Sequence, residues 1–131
     1  PLKLSFKQFI SNEVNEKYYY NDKPLYPKIK EDINSENFVY QWRRRYVRQN
    51  KKGVVPTLTA NMGTGGHNVP IIKKGEVLRK LTPKECFLLQ GFPSSFKIPK
   101  LSDSKLYHQA GNSVTVPVIE RIAKNIKKVL N

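Results

Sequence analysis

The chain has 131 residues, 38% of them apolar, with one cysteine, two histidines and a formal net charge of +14. That length suits one modest domain with a small core, and no stretch reaches the roughly 18 consecutive apolar residues that a membrane span needs. Cys86 alone excludes an internal disulfide and any multi-cysteine zinc site. With only His67 and His108 beside it, no metal site is expected.

The charge is unevenly placed. Residues 1–40 hold six lysines and six acids and are neutral, residues 41–80 carry +9, and residues 81–131 carry +5. A neutral lead followed by a basic middle points to a polyanion-binding face; a solvated basic face without a partner is the alternative. No apolar run follows a basic start as in a signal peptide, so a cytoplasmic setting is expected. An initial proline fits either a chain that has lost its methionine or one excised from a longer polypeptide.

In chain order, residues 1–37 read as a lead-in. Phe6, Phe9, Ile10 and Val14 stand at helical spacing and predict a short helix. Tyr18, Tyr19 and Tyr20 are expected in the core, and Pro24 and Pro27 break any regular element after them. From Phe38 the composition turns to strand-favouring residues, in Phe38-Val39-Tyr40-Gln41-Trp42 and again in Arg45-Tyr46-Val47-Arg48. Lys51-Lys52-Gly53 predicts a turn, with Val54 to Thr59 as a further extended piece. Residues 61–68 (Asn61, Met62, Gly63, Thr64, Gly65, Gly66, His67, Asn68) are too glycine-rich for helix or strand. Val69 to Ile72 and Val77 to Leu81 flank Lys73-Lys74-Gly75-Glu76 as a hairpin. The sum is a small twisted antiparallel sheet whose loops carry the charge.

The last third reads as helical. Thr82-Pro83-Lys84-Glu85 has the form of a capping box, opening a helix that stops at Gly91. A second short helix is predicted over residues 102–110. A third starts near Val116-Pro117, with Val118, Ile119, Ile122, Ala123, Ile126, Val129 and Leu130 at three- and four-residue steps. Arg121, Lys124, Lys127 and Lys128 occupy its other face. That helix must pack against something, within the chain or in a partner.

Three segments carry chemistry. Residues 42–52 interleave Arg43, Arg44, Arg45, Arg48, Lys51 and Lys52 with Trp42, Tyr46 and Asn50, a pattern suited to nucleic acid. Guanidinium groups bridge phosphate oxygens or pair bidentately with guanine, and strand alternation would put some arginines on one face. A charge-protected edge strand is the alternative. The glycine-rich loop lets backbone approach a partner closely, although a simple turn reads equally well. It lacks the Lys-Ser/Thr ending of a P-loop. In Gln109-Ala110-Gly111-Asn112-Ser113-Val114, the polar Asn112 and Ser113 either edge a pocket or cap the final helix, and capping is the better reading from local physics alone. Cys86, set among Phe87, Leu88 and Leu89, reads as buried and inert.

Together these segments resemble the end of the cytosine-C5 DNA methyltransferase family. Arg79-Lys80-Leu81-Thr82-Pro83-Lys84-Glu85-Cys86 through Leu89-Gln90-Gly91-Phe92-Pro93 looks like the family's ninth conserved motif. Gln109 to Val114, followed by Pro117-Val118, looks like the tenth. Pro56-Thr57-Leu58-Thr59-Ala60 and the glycine loop resemble the Thr-Leu core of the target-recognition region, and Glu16-Lys17-Tyr18-Tyr19 the segment leading into it.

The resemblance implies an α+β fold in three parts: a lead-in over residues 1–37, a target-recognition domain with the ninth motif over 38–108, and the tenth motif with its helix over 109–131. That last helix would pack on a Rossmann-like catalytic domain. The implied activity is S-adenosylmethionine-dependent methylation of cytosine C5 in a specific duplex sequence, of the restriction-modification kind, in a prokaryotic cytoplasm. Such enzymes flip the target base because its reacting carbon is inaccessible in the stack.

Implied DNA contacts are Arg43, Arg44, Arg45, Arg48, Asn50, Thr57, Leu58, Thr59, Asn61, Gly63, Thr64, Gly65, Gly66, His67 and Asn68, with Thr57 on a phosphate near the flipped nucleotide. Asn112, Ser113 and Val114 would edge the S-adenosylmethionine pocket, which overturns the capping reading of Asn112. The family's Pro-Cys nucleophile loop, Glu-Asn-Val segment and glycine-rich cofactor motif are not among these 131 residues, and Cys86 is not that nucleophile. No catalytic residue is therefore assigned, and a partner carrying the upstream motifs is implied. The alternative is a non-catalytic, sequence-specific DNA-binding module derived from such an enzyme.

Overall fold

A computed structural model describes residues 4–64 and 69–131. Its centre is a four-stranded antiparallel sheet in the order β2-β1-β3-β4, with β1 Tyr40–Trp42, β2 Val47–Gln49, β3 Ile71–Lys74 and β4 Val77–Lys80. The predicted hairpin forms, with a tighter turn than expected. Lys73 and Lys74 lie in β3 and pair with Leu78 and Val77, leaving Gly75 and Glu76 as a two-residue connection.

Side-chain alternation sends neighbouring residues to opposite faces, and both faces are covered. Tyr40, Trp42, Ile71 and Leu78 pack with Tyr20, Ile29 and Ile33 from the lead segment. Short helix α1 (Tyr26–Ile29) lies in that layer. Ile72 faces the other way, into a larger core with Phe6, Tyr18, Leu58, Met62, Leu81, Cys86, Phe87, Tyr107 and Ala110. Helices α2 (Pro83–Leu89) and α3 (Asp103–Asn112) close this second layer. The lead segment thus serves both cores, through Tyr18 and Tyr20 as expected, whereas Tyr19 is only half-buried and bridges to Arg79. Its predicted helix is shorter than the spacing suggested, a 3-10 turn over Phe6–Phe9 capped by Ser5, with Ile10 already extended.

Two strand expectations change. Residues 54–59 are extended but pair with no strand. Leu58 anchors them by burying its side chain, so they pack as a strap across the core instead of joining the sheet. Arg45 and Tyr46 leave the second strand and belong to the turn. Arg43 N–H donates to Tyr46 O (2.8 Å) and Arg45 N–H to Arg43 O (2.8 Å), around Arg44 at φ 65°. An i to i+2 bond with positive φ at its centre is a strained γ-turn.

The α2 capping box forms as expected: Thr82 Oγ1 accepts from Glu85 N–H (3.2 Å) and Glu85 Oε1 from Thr82 N–H (2.8 Å). The same carboxylate takes a two-pronged contact from Arg79 of β4 at 2.8 and 2.9 Å, and Oε2 also accepts Ser11 N–H at 2.8 Å. Arg79 completes its donors on Ser11 O and Lys80 O, both at 3.1 Å. The pair is fully enclosed, at 2% and 0% exposure. Gln90 caps α2 and Gly91 follows at φ 94°, the left-handed stop the sequence predicts. Cys86 is buried, and burial, with the adjacent Glu85 charge, pushes its thiol far above the usual range, so it is inert.

Burial alone would raise the Glu85 pKa. The Arg79 guanidinium, with the Thr82 and Ser11 amides, overrides it and holds the carboxyl below its ordinary value of 4.5. A depressed carboxyl stabilises the fold fully above its unfolded pKa and loses that contribution as pH falls through the folded one. Glu85→Gln should therefore destabilise the chain by about 3–5 kcal/mol at pH 7, because it leaves Arg79 buried without its counter-ion. The difference from wild type should shrink as the pH is lowered below 4.5. Urea titrations at several pH values measure this, and a difference independent of pH would show that the carboxylate charge does not matter.

Candidate nucleic-acid interface

The antiparallel register decides which basic residues meet. Gln41 pairs with Arg48 and Trp42 with Val47. Positions 41, 43, 48 and 50 therefore share one face, while Trp42 and Val47 turn to the opposite core. The strap of residues 54–59 runs along the first of these faces. Between them lies an open cleft of about 630 Å³ lined by Gln41, Arg43, Arg48, Asn50, Thr57 and Thr59, among others. β2 is the outer strand of the sheet, so this cleft stands at an open, basic edge. Edge β4 is instead covered by the lead segment through the Tyr19–Arg79 bridge and Tyr20 N–H on Leu78 O (2.8 Å).

Thr57 and Thr59 are exposed on either side of buried Leu58. Leu58 was expected among the DNA contacts, but its side chain fills the core and is 8% exposed. Its burial turns the two flanking threonines outward. Arg44 and Arg45 stand at the turn tip, outside the cleft lining, and both are exposed. Asn61, Gly63 and Thr64 form a turn closed by Thr64 N–H on Asn61 O (3.3 Å), with Gly63 against the Tyr107 ring. The remaining loop candidates, Gly65, Gly66, His67 and Asn68, lie outside the described residues.

A second cleft of about 400 Å³ opens on the other side of the strap. Val55, Pro56, Thr57 and Leu58 form one wall, and Leu89, Gln90, Gly111, Ser113 and Thr115 the other. Thr57 borders both clefts. The second wall is held by Gln90, which donates from Nε2 to Ala110 O (3.1 Å), accepts from Thr115 Oγ1 (3.3 Å) and takes Val116 N–H on its main-chain oxygen (2.8 Å). Gln90 carries no distinct local signal beyond its place in the stretch resembling the ninth motif.

Helix α3 extends two residues beyond the predicted end, through Gly111 and Asn112. Ser113 caps that helix, its Oγ donating to Ala110 O at 2.6 Å. Neither Asn112 nor Ser113 caps the final helix α4 (Val116–Leu130), whose N-cap Thr115 makes no side-chain capping bond. Asn112 instead sits beside His108, and Val114 is 47% exposed. α4 has no buried residue, and its apolar Val118, Ile119, Ile122 and Ile126 are all about half exposed. Nothing among the described residues covers that face.

Gly111 is where the strap and α3 touch. A Cβ there would lie 2.1 Å from Thr59 O and 2.5 Å from Ala60 N, both backbone atoms. Gly111→Ala should therefore destabilise the fold by about 1–3 kcal/mol through overpacking, even though alanine favours a helix by up to about 1 kcal/mol. A urea midpoint equal to or above wild type would show that the strap does not press on α3.

The family model for C-5 cytosine-specific DNA methylase matches residues 3–128. Type II methyltransferase M.Bsp6I of Bacillus sp. (strain RFL6) is 53% identical over 132 residues, covering 98% of this chain and 42% of its own length. M.NlaX of Neisseria lactamica is 47% identical over 75 residues, 57% of this chain and 24% of that protein. The fold also resembles the Entamoeba histolytica methyltransferase EhMeth, with a TM-score of 0.65 at 22% identity over all of this chain and 42% of that one. The chain thus spans less than half the length of the relatives it matches. It belongs to the C-5 cytosine-specific DNA methylase family.

Proposed function

We propose that this chain is the DNA target-recognition portion of a cytosine-C5 DNA methyltransferase of the restriction-modification kind, inactive by itself. One observation carries the reading: Thr57 forms part of both a basic cleft and the cleft edged by Ser113. A strap that borders both can hold DNA beside the place where chemistry is done. Arg43 and Arg48 supply guanidinium groups for phosphates or guanine edges, and Asn50, Thr57 and Thr59 supply shorter polar contacts. Arg44 and Arg45 at the turn reach further out along the duplex, and Asn61, Gly63 and Thr64 add contacts from a turn of their own.

S-adenosylmethionine would supply the methyl group. Exposed Asn112 and Val114, with half-buried Ser113 between them, suit one edge of its site, offering an amide and an apolar surface, while the rest belongs to the upstream part of the family's chain. The catalytic part is also the occupant proposed for the uncovered apolar face of α4. A helix of this amphipathicity gains its stability from packing, which favours half of a larger enzyme over a self-sufficient DNA-binding module.

Mixing this chain with a polypeptide carrying the upstream motifs, S-adenosylmethionine and duplex DNA should yield C5-methylcytosine. This chain without that polypeptide should yield none, and methyl transfer by it unaided would sink the reading. The chain by itself should bind DNA weakly and with steep salt dependence, whereas tight sequence-selective binding would mark an autonomous module.

In the reconstituted enzyme, Arg48→Ala or Arg45→Ala should relax sequence preference, costing about 1–3 kcal/mol on the cognate site. Methylation rates on cognate and single-mismatch duplexes measure this. Uniform weakening on every sequence would reassign those arginines to phosphates.

A further inference from the structure

His108 lies on α3 between the strap and Asn112. Its Nδ1 is 2.8 Å from Ala60 O, and its Nε2 is 3.0 Å from Asn112 Nδ2. A carbonyl oxygen only accepts, so Nδ1 must carry the hydrogen. In the neutral ring Nε2 is then an acceptor, and it fixes the Asn112 amide with Nδ2–H donating. The Asn112 Oδ1 is thereby turned away from the ring, available to a donor on a ligand. One ring therefore joins the backbone that follows the Thr57–Thr59 strap to the orientation of one amide. Gly111, packed on Thr59 and Ala60, holds the same two segments together from a second point.

We propose that His108 is a positioning residue through which DNA bound on the strap sets the Asn112 amide, and so couples DNA binding to cofactor binding. The inference rests on the proposed function. Movement of the strap on DNA shifts Ala60 O, the ring follows its hydrogen bond, and the Asn112 amide follows the ring. Coupling of this kind is reciprocal: cofactor must tighten DNA by the factor by which DNA tightens cofactor.

Two substitutions each keep one half of the link. In His108→Asn the amide nitrogen takes the place of Nδ1 and keeps the Ala60 contact, but nothing remains to accept from Asn112. In His108→Gln the amide oxygen takes the place of Nε2 and holds Asn112, but the link to Ala60 is gone. In the enzyme reconstituted with its upstream half, S-adenosylmethionine affinity is measured with and without saturating cognate duplex. Wild type should show a coupling of at least about fivefold. Both variants should bring it close to one. Without DNA, only His108→Asn should bind the cofactor more weakly, while His108→Gln stays near wild type. Adding His108→Asn to Asn112→Ala should change nothing further, since the histidine acts only through that amide.

In the unmixed chain, long-range proton–nitrogen NMR should show the Nδ1–H tautomer of His108. The opposite tautomer, an uncoupled wild type, variants with coupling intact, or losses that add to those of Asn112→Ala would each overturn the proposal. A wild-type mixture that transfers no methyl group at all would instead overturn the proposed function. The tautomer result is independent of that outcome.

Discussion

The buried Arg79–Glu85 pair is the joint on which the rest of the molecule is assembled. It binds the edge strand β4 to the start of α2 and, through Ser11, to the lead segment. Two charges removed from water attract each other strongly but also lose their hydration, so an incomplete arrangement would be worse than an apolar one. Here the carboxylate accepts two guanidinium contacts and two main-chain amides, and the guanidinium spends further donors on two carbonyls. The stability gained is modest compared with the specificity. Only one relative placement of strand, helix and lead segment satisfies every group.

The functional surfaces follow from that placement. α2 ends at Gln90, which grips both the end of α3 and the start of α4. Gly91 leaves room for this, since a Cβ there would lie 2.5 Å from the Pro117 ring. α3 in turn supplies Tyr107, whose hydroxyl donates to Leu81 O, and the glycine on which the strap rests. The chain of dependence runs from an ion pair to a helix, from the helix to a glutamine, and from there to the second cleft. The basic cleft depends less on it, because β-register and Leu58 place its residues.

Much of this was legible in the sequence where the signal is local. The capping box at Thr82–Glu85, the stop at Gly91, the hairpin of β3 and β4, and the inert Cys86 are each written within a few consecutive residues. What was not legible depends on contacts across the fold. Residues 54–59 have strand composition, but whether they pair is decided by the burial of Leu58 and the closeness of Gly111, neither visible nearby. The same holds for Arg45 and Tyr46, which are drawn into a turn by a positive φ at Arg44 that arginine rarely adopts. α3 outruns its expected end because Gly111 reads as a breaker, whereas here it is the residue that permits helix against strap. The family could be read from motif order. The juxtaposition of His108, Ala60 and Asn112 arises only where α3 packs on the strap, 48 residues apart in the chain for His108 and Ala60.

Helices and lead segment cover the sheet around β1, β3 and β4, so that the exposed residues lie on the outer strand β2 and the turn before it. This rim is an open edge strand, a turn and the strap, held from beneath by buried Trp42 and Leu58 and partly buried Val47. Such an arrangement separates two kinds of information. Substituting at the rim leaves the interior undisturbed, while buried Leu58, Tyr40 and Ile71 bear the mechanical load. The division makes the rim a natural place to graft new preferences, with the scaffold beneath it left alone.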